Sequence, residues 1–336
     1  MIEVAVFGAG RIGRIHAENV SSNPQARLRY VVDGDPEVAK NVAEALGAEA
    51  VDEEVALGDS SVGAVVVASS TPSHVPLIMG AARAGKAIFC EKPIDLDLGR
   101  VDEALDVVER TQVPFMVGFN RRFDPSFAKV KADLAAGAVG QVELVSITSR
   151  DPRPPDADYL ARSGGLFRDM MIHDLDMARW LLGEEPVAVS ATASALVSPE
   201  ASQLGDVDTA VVVLKAASGA IAHISNSRRA VYGYDQRIEV LGAHGMVEAG
   251  NWRQTTVRRW SEDGVAEDRP PYFFLERYRE AYVRELSHFF AALSDDETPL
   301  LVGPHDGRQA LALAEAALLA LATGRTVDVR EFERRR

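Results

Sequence analysis

The 336-residue chain contains one cysteine, Cys90, so no internal disulfide can form. That excludes a disulfide-built secreted scaffold and fits a reducing cytoplasm. Positive charge is scarce as well: 36 Lys and Arg stand against 50 Asp and Glu, a formal net charge of -14. A surface of that sign disfavours nucleic acid and anionic membranes as partners. No uncharged apolar run is long enough to span a bilayer, and Met1-Ile2-Glu3-Val4 has neither the basic nor the apolar region of a signal peptide. Repeats, low-complexity tracts and long linkers are absent too. What is present is ample core material, 47% hydrophobic residues, in a chain long enough for two domains. The expectation is a cytoplasmic two-domain protein.

The first part alternates strand and helix. Ile2 to Phe7 is a short apolar run, followed by Gly8-Ala9-Gly10-Arg11-Ile12-Gly13 and a helical pattern. Strand, Gly-rich turn and helix in that order form the context of a dinucleotide-binding fingerprint. Gly8 makes the tight turn, Gly10 admits a pyrophosphate to the backbone, and Gly13 lets helix and strand pack closely. The start of the helix, with Arg11 and Ile12, then faces the phosphates. A second strand ends at Asp33, placed to accept from ribose hydroxyls and to repel a 2′-phosphate, which favours NAD over NADP. The alternative for Asp33 is a helix cap, a job for which Asp35 is better placed. The apolar strand Ala64 to Ala68 runs into the polar loop Ser69-Ser70-Thr71-Pro72-Ser73-His74, at the strand end where such sheets bind ligands. The next strand runs into Glu91-Lys92-Pro93, where the proline restricts the backbone around Lys92.

Near Asn120-Arg121 the pattern changes. Residues 142–149, 187–195, 209–215, 220–225, 236–241, 245–249 and 254–259 read as strands, many alternating, with closing helices over 278–293 and 310–323. The expected architecture is α/β plus α+β: a doubly wound parallel Rossmann sheet over 1–120, then a domain over 121–336 built on a large, mainly antiparallel open sheet.

Early in the second part, Ser163-Gly164-Gly165 precedes a helical segment that stops at Gly183. On it, Asp169, His173 and Asp176 fall at i, i+4 and i+7, so the spacing predicts one shared helix face. A carboxylate so placed can hold an imidazole in one tautomer and stabilise its charged form, which suits a proton-transfer group.

Taken together, Gly8-Ala9-Gly10-Arg11-Ile12-Gly13, Glu91-Lys92-Pro93, and Gly164-Gly165 followed by Asp169 and His173 resemble the Gfo/Idh/MocA family of NAD(P)-dependent oxidoreductases, in particular its inositol dehydrogenases. The resemblance implies a Rossmann domain that binds NAD through Gly8, Gly10, Arg11, Ile12, Gly13, Asp33, Ser70, Thr71, Pro72, His74, Glu91 and Lys92. It implies a catalytic set in which Lys92 bonds the reacting hydroxyl, His173 takes its proton and Asp169 supports His173. Arg121, Asp176, Tyr234 and Tyr282 would lie near the polyol. Tyr232 competes for the role of Tyr234, since Tyr-Gly-Tyr reads as two residues on one side of a strand. Thr148-Ser149-Arg150-Asp151 carries Ser and Asp where some inositol dehydrogenases place His and Asn.

The implied activity is oxidation of a ring hydroxyl of a cyclic polyol, myo-inositol to its 2-keto product first, with an aldose or another inositol isomer as the alternative. The implied assembly is a homotetramer, and the implied setting is inositol catabolism. Two other classes are weighed against this. Asp169, His173 and Asp176 could ligate a divalent ion, although Lys92 in the same crevice would repel it; no metal is expected. A Rossmann protein could also bind NAD only as a sensor, but that leaves Lys92, Asp169 and His173 without a use.

Overall fold

The computed structural model describes residues 1–295 and 297–334; Asp296 and the last two residues of the expected second domain, Arg335 and Arg336, lie outside the described residues. The chain forms two units, one joining Met1–Phe123 to Ala281–Gln309, the other Asp124–Glu280 to Ala310–Arg336. Residues 281–309, expected in the second domain, therefore belong to the first unit. Local packing explains this. Phe289 stands edge-on to Phe89 at 5.9 Å, the Val117 amide donates to the Val302 carbonyl at 3.3 Å, and the Arg308 guanidinium pairs with Asp102 at 2.6 Å.

The first unit is built on a six-stranded parallel sheet: β1 (Ile2–Phe7), β2 (Ala26–Val32), β3 (Glu49–Ala50), β4 (Val62–Val67), β5 (Ala87–Glu91) and β6 (Phe115–Gly118). Its order is β3-β2-β1-β4-β5-β6, with every pairing parallel. Val4, Ala5 and Val6 of β1 and Val65, Val66 and Val67 of β4 are completely buried, as strands covered on both faces must be. The order reverses between β1 and β4, so the loops that follow those two strands lie side by side at the switch point where open α/β sheets bind ligands.

The second unit is built on a seven-stranded sheet. Its strands are β7 (Val142–Arg150), β8 (Pro186–Ser194), β9 (Thr209–Ala216), β10 (Ile221–Ser227), β11 (Asp235–Gly242), β12 (Gly245–Ala249) and, beyond the hairpin β13 (Arg258–Ser261) and β14 (Gly264–Glu267), β15 (Val327–Asp328). The order is β12-β11-β7-β10-β9-β8-β15, and only the β7–β10 pair among these is parallel. In β9, Ala210, Val212, Leu214 and Ala216 are buried while Val211, Val213 and Lys215 are exposed. That period of two marks a sheet with one covered face, and the helix Ile172–Leu182 packs on it through β7 and β10.

Two local readings need correction. The strand expected over 254–259 survives only as Arg258 and Arg259 of β13, in a hairpin separate from the large sheet. Upstream, Asp268 accepts from both the amide (3.1 Å) and the hydroxyl (2.5 Å) of Thr255, and that hydroxyl receives the Val257 amide at 3.3 Å. Side-chain bonds to the backbone there displace a ladder. Tyr232 and Tyr234 likewise sit in a turn before β11, not on one side of a strand. Gly233 between them has φ +128°, a conformation closed to L side chains, and a Cβ on it would come within 2.8 Å of the Pro270 carbonyl oxygen.

Candidate active site

In the first unit the Gly-rich turn is sterically obligatory. Gly8 has φ +97°, and a Cβ there would lie 2.5 Å from the Ser69 amide nitrogen in the loop after β4. A Cβ on Gly13 would lie 1.9 Å from the Gly8 carbonyl oxygen. Gly10 has nothing within 4 Å of that position, so the backbone before the helix Arg11–Ser22 is open to a ligand. The three glycines thus do three different jobs, and the helix N-terminus behind them offers amides and a partial positive charge to a phosphate.

Asp33 closes the turn from the end of β2. One carboxylate oxygen accepts from the Ala9 amide at 2.6 Å and the other from the Asp35 amide at 2.9 Å. Asp35, not Asp33, caps the next helix, accepting from Glu37 and Val38. These residues fit the adenosine-diphosphate part of NAD: an open backbone at Gly10, a helix start and a fixed acid beside it.

The other first-unit residues fall into supporting places. Ser70 precedes the short turn Thr71–Ser73, whose Ser73 hydroxyl donates back to the Ser70 carbonyl at 2.7 Å. The buried His74 ring has its nitrogens 2.9 Å from the Pro93 carbonyl and 3.1 Å from the Ser69 carbonyl, so it braces the loop after β4 against the loop after β5. Burial lowers its pKa despite those two carbonyls. Glu91, the last residue of β5, meets His16 at 2.6 Å, and its other oxygen accepts from the Lys92 amide at 3.3 Å. Lys92 itself is half-buried, and its peptide bond to Pro93 is cis. Arg121 is buried in the turn Asn120–Phe123, and Tyr282 lies edge-on to the His16 ring at 5.8 Å.

In the second unit Gly164 and Gly165 have φ +86° and +82°. A Cβ on Gly165 would come within 2.7 Å of the Asp206 carboxylate, which accepts from the Leu166 amide at 3.1 Å. From that anchored start the chain makes a π-helical turn over Leu166–Met171 and then the α-helix Ile172–Leu182. The α spacing read from Asp169 to His173 and Asp176 therefore does not hold across the junction: Asp169 is on the wider turn, and His173 and Asp176 are on the α-helix. Such a turn is a frequent mark of a functional segment.

Asp169 accepts from the Tyr159 hydroxyl at 2.8 Å and from Arg228 at 3.2 Å. Arg228 is fully buried and also lies 3.7 Å from Asp151. The desolvated hydroxyl end of Tyr159 and the neighbouring Asp169 carboxylate raise the phenol's pKa, so Tyr159 stays protonated and keeps donating. His173 is half-buried at the start of the α-helix. Asp176 is buried 3.6 Å from Arg179, whose guanidinium is in turn paired with Glu185. Tyr234 is buried against Tyr278, ring centroids 6.0 Å apart at 90°, whereas the exposed Tyr232 donates to Asp235 at 2.6 Å and accepts from Arg150 at 3.0 Å.

Sequence reasoning missed Arg228 and Tyr159 as the holders of Asp169. Neither lies at a helical spacing from Asp169, and the one available signal was Asp151, already noted as a departure in residue type at the end of β7.

A parallel sheet that reverses at a glycine turn closed by an acid defines a dinucleotide-binding Rossmann fold. The chain belongs to the GFO/IDH/MocA oxidoreductase family: residues 2–119 match its NAD-binding Rossmann domain and residues 127–248 its C-terminal domain. It is 49% identical over 330 residues to an inositol 2-dehydrogenase of Rhizobium meliloti, covering 98% of this chain and 99% of that one. It superimposes with a TM-score of 0.93 on a myo-inositol dehydrogenase of Corynebacterium glutamicum, 43% identical, over 98% of each chain. A scyllo-inositol dehydrogenase of Lactobacillus casei, with NAD(H) and scyllo-inositol bound, gives 0.89 at 28% identity over 98% of this chain and 99% of that one.

Proposed function

We propose that this protein is an NAD-dependent inositol 2-dehydrogenase, which oxidises one ring hydroxyl of myo-inositol to the 2-keto product. The observation that carries the reading is the near end-to-end likeness to an inositol 2-dehydrogenase, at 49% identity, in a chain that has Lys92, Asp169 and His173 in the expected order. Gly8, Gly10, Gly13 and Asp33 hold the dinucleotide, with Arg11 and Ile12 at the start of the helix after the Gly-rich turn and Ser70, Thr71 and Pro72 in the loop after β4. When bound, NAD supplies the hydride acceptor.

The chain's own residues handle the proton. Lys92 donates a hydrogen bond to the reacting hydroxyl and stabilises negative charge on its oxygen as the proton leaves. His173 takes that proton. Asp169, held in place by Arg228 and Tyr159, supports the imidazolium that results. Arg121, Asp176, Tyr234 and Tyr282 serve the remaining hydroxyls. We place the enzyme in the cytoplasm, in inositol catabolism, as a homotetramer assembled on the open face of its large sheet.

The test is NADH formation with purified protein, NAD or NADP, and a panel of inositols and aldoses in mildly alkaline buffer. Turnover with NAD and myo-inositol well above the rest is expected. Turnover confined to an aldose or to scyllo-inositol would overturn the substrate and leave the cofactor. NAD binding without turnover on any member would favour a sensor.

A further inference from the structure

The first unit contains a buried titratable cluster that the proposed mechanism does not use. Glu285, on the helix Arg279–Ser294, is fully buried, and neither of its carboxylate oxygens has a hydrogen-bond partner among the described residues. It looks onto His16, which is also fully buried, and Glu91; one ligand atom from each of the three lies within 4.8 Å of the others. His16 comes from the helix behind the Gly-rich turn, and Glu91 ends the strand that leads into Lys92. The neighbouring strand makes room for the Glu91 carboxyl with a glycine: a Cβ on Gly118 would come within 3.2 Å of the Glu91 Cδ and of the Phe89 ring.

A metal ion does not account for the cluster. His16 Nε2 and Glu91 Oε1 are 2.6 Å apart, a hydrogen-bond distance. Two ligands of one tetrahedral ion with bonds of about 2.0–2.1 Å would stand roughly 3.3 Å apart. A proton between them fits and an ion does not. Two buried carboxylates side by side cannot both be anions without a cation for each, so the one with no donor takes a proton.

We infer that Glu285 is a neutral carboxylic acid in the folded protein, packed beside Glu91 and His16 without a hydrogen bond to either, and that the Glu91–His16 pair positions Lys92 by fixing the strand end from which it departs. The inference rests on the reading of Lys92 as the group that bonds the reacting hydroxyl. The geometry gives Glu91 two tasks: one oxygen is tied to His16 and the other turns back onto the amide of Lys92. Burial, then the charge of Glu91, hold the Glu285 carboxyl well above the usual carboxylate range, in keeping with the missing donors. Around the cluster, Tyr282, from the same helix as Glu285, lies edge-on to the His16 ring, and His74 and the buried Cys90 feel the Glu91 charge.

Two measurements on the full-length, NAD-loaded protein test this. Infrared difference spectra between wild type and Glu285→Gln at neutral pH should show a carboxylic-acid carbonyl band in the wild type only. Its absence would overturn the protonated Glu285. In kinetics, Glu285→Gln should keep kcat within about twofold, since an amide replaces a neutral acid, while Glu91→Gln should lower kcat by about tenfold or more with a shifted pH–rate profile. A wild-type kcat and pH profile in Glu91→Gln, beside an inactive Lys92→Met, would overturn the positioning role. An active Lys92→Met would instead remove Lys92 from the chemistry and the positioning role with it, while the infrared result still decides the state of Glu285.

Discussion

At the scale of single residues, the clearest feature is how differently the two key carboxylates are held. Asp33 is fixed by two backbone amides, and Asp169 by a buried guanidinium and a phenol. The bonds that fix Asp33 come from its own turn and from Ala9, and the adjoining helix is capped by Asp35. In the proposed site, replacing Asp33 by Ala would remove both the ribose acceptor and the charge that repels a 2′-phosphate. Asp33→Ala is expected to weaken NAD and narrow its advantage over NADP; titration of both cofactors checks this, and an unchanged preference would reduce Asp33 to a brace for the turn. His173→Ala should cut kcat by about 10²–10⁴-fold, the ordinary contribution of a general base, with NAD affinity nearly intact. An unaffected rate would remove His173 from the mechanism.

Elements decide where these residues stand. The π-helical turn exists because two glycines with positive φ start it and the Asp206 carboxylate anchors its first amide. The following loop has its own anchor. Asp208 is fully buried and accepts from the amides of Leu196 (2.8 Å), Val197 (2.8 Å) and Ser198 (2.9 Å) and from the Thr209 hydroxyl at 3.0 Å. Burial pushes its carboxyl up, but the three amides and the hydroxyl outweigh burial and hold it below the usual carboxylate range. With the folded pKa below the unfolded one, the stabilisation is present above the unfolded pKa and lost as pH falls through the folded value. Asp208→Asn should therefore cost about 1–3 kcal/mol at neutral pH, and its gap to wild type should close in acid. Urea unfolding across that range checks the sign; a gap that does not change with pH would mean that charge plays no part in the anchor.

For the molecule as a whole, the proposed tetramer makes a demand on the large sheet. Its uncovered face carries Val211, Val213, Ile221, Leu241 and Met246, each at least 39% exposed. Leu241 stands beside Met246, and Val213 beside His223 in the row of Glu239 and Ser146. Apolar residues scattered singly on a surface mean little, but a band of them across adjacent strands suits an interface between copies. Val213→Asp is expected to lower the mass measured by light scattering, with the far-ultraviolet circular dichroism retained. An unchanged tetramer would move the interface elsewhere, and a monomeric wild type would end the proposal.

The sequence by itself determined the order of elements, the parallel sheet, the Gly-rich turn and its acid, and the family. These are local: a glycine with no space for a Cβ or an apolar run buried on both faces leaves its mark where it stands in the chain. The helical spacing of Asp169, His173 and Asp176 was legible only in part, because a π turn depends on anchors such as Asp206 that periodicity does not contain. The strand expected over 254–259 failed for a similar reason, since Asp268 and Thr255 bind backbone that a ladder would have used. Only the tertiary structure decided that 281–309 joins the first unit, that Arg228 and Tyr159 hold Asp169, and that Glu285 meets His16 and Glu91 in the interior. A buried charge must find its partner wherever the fold brings one, and such a partner carries no mark of its role in the chain around it.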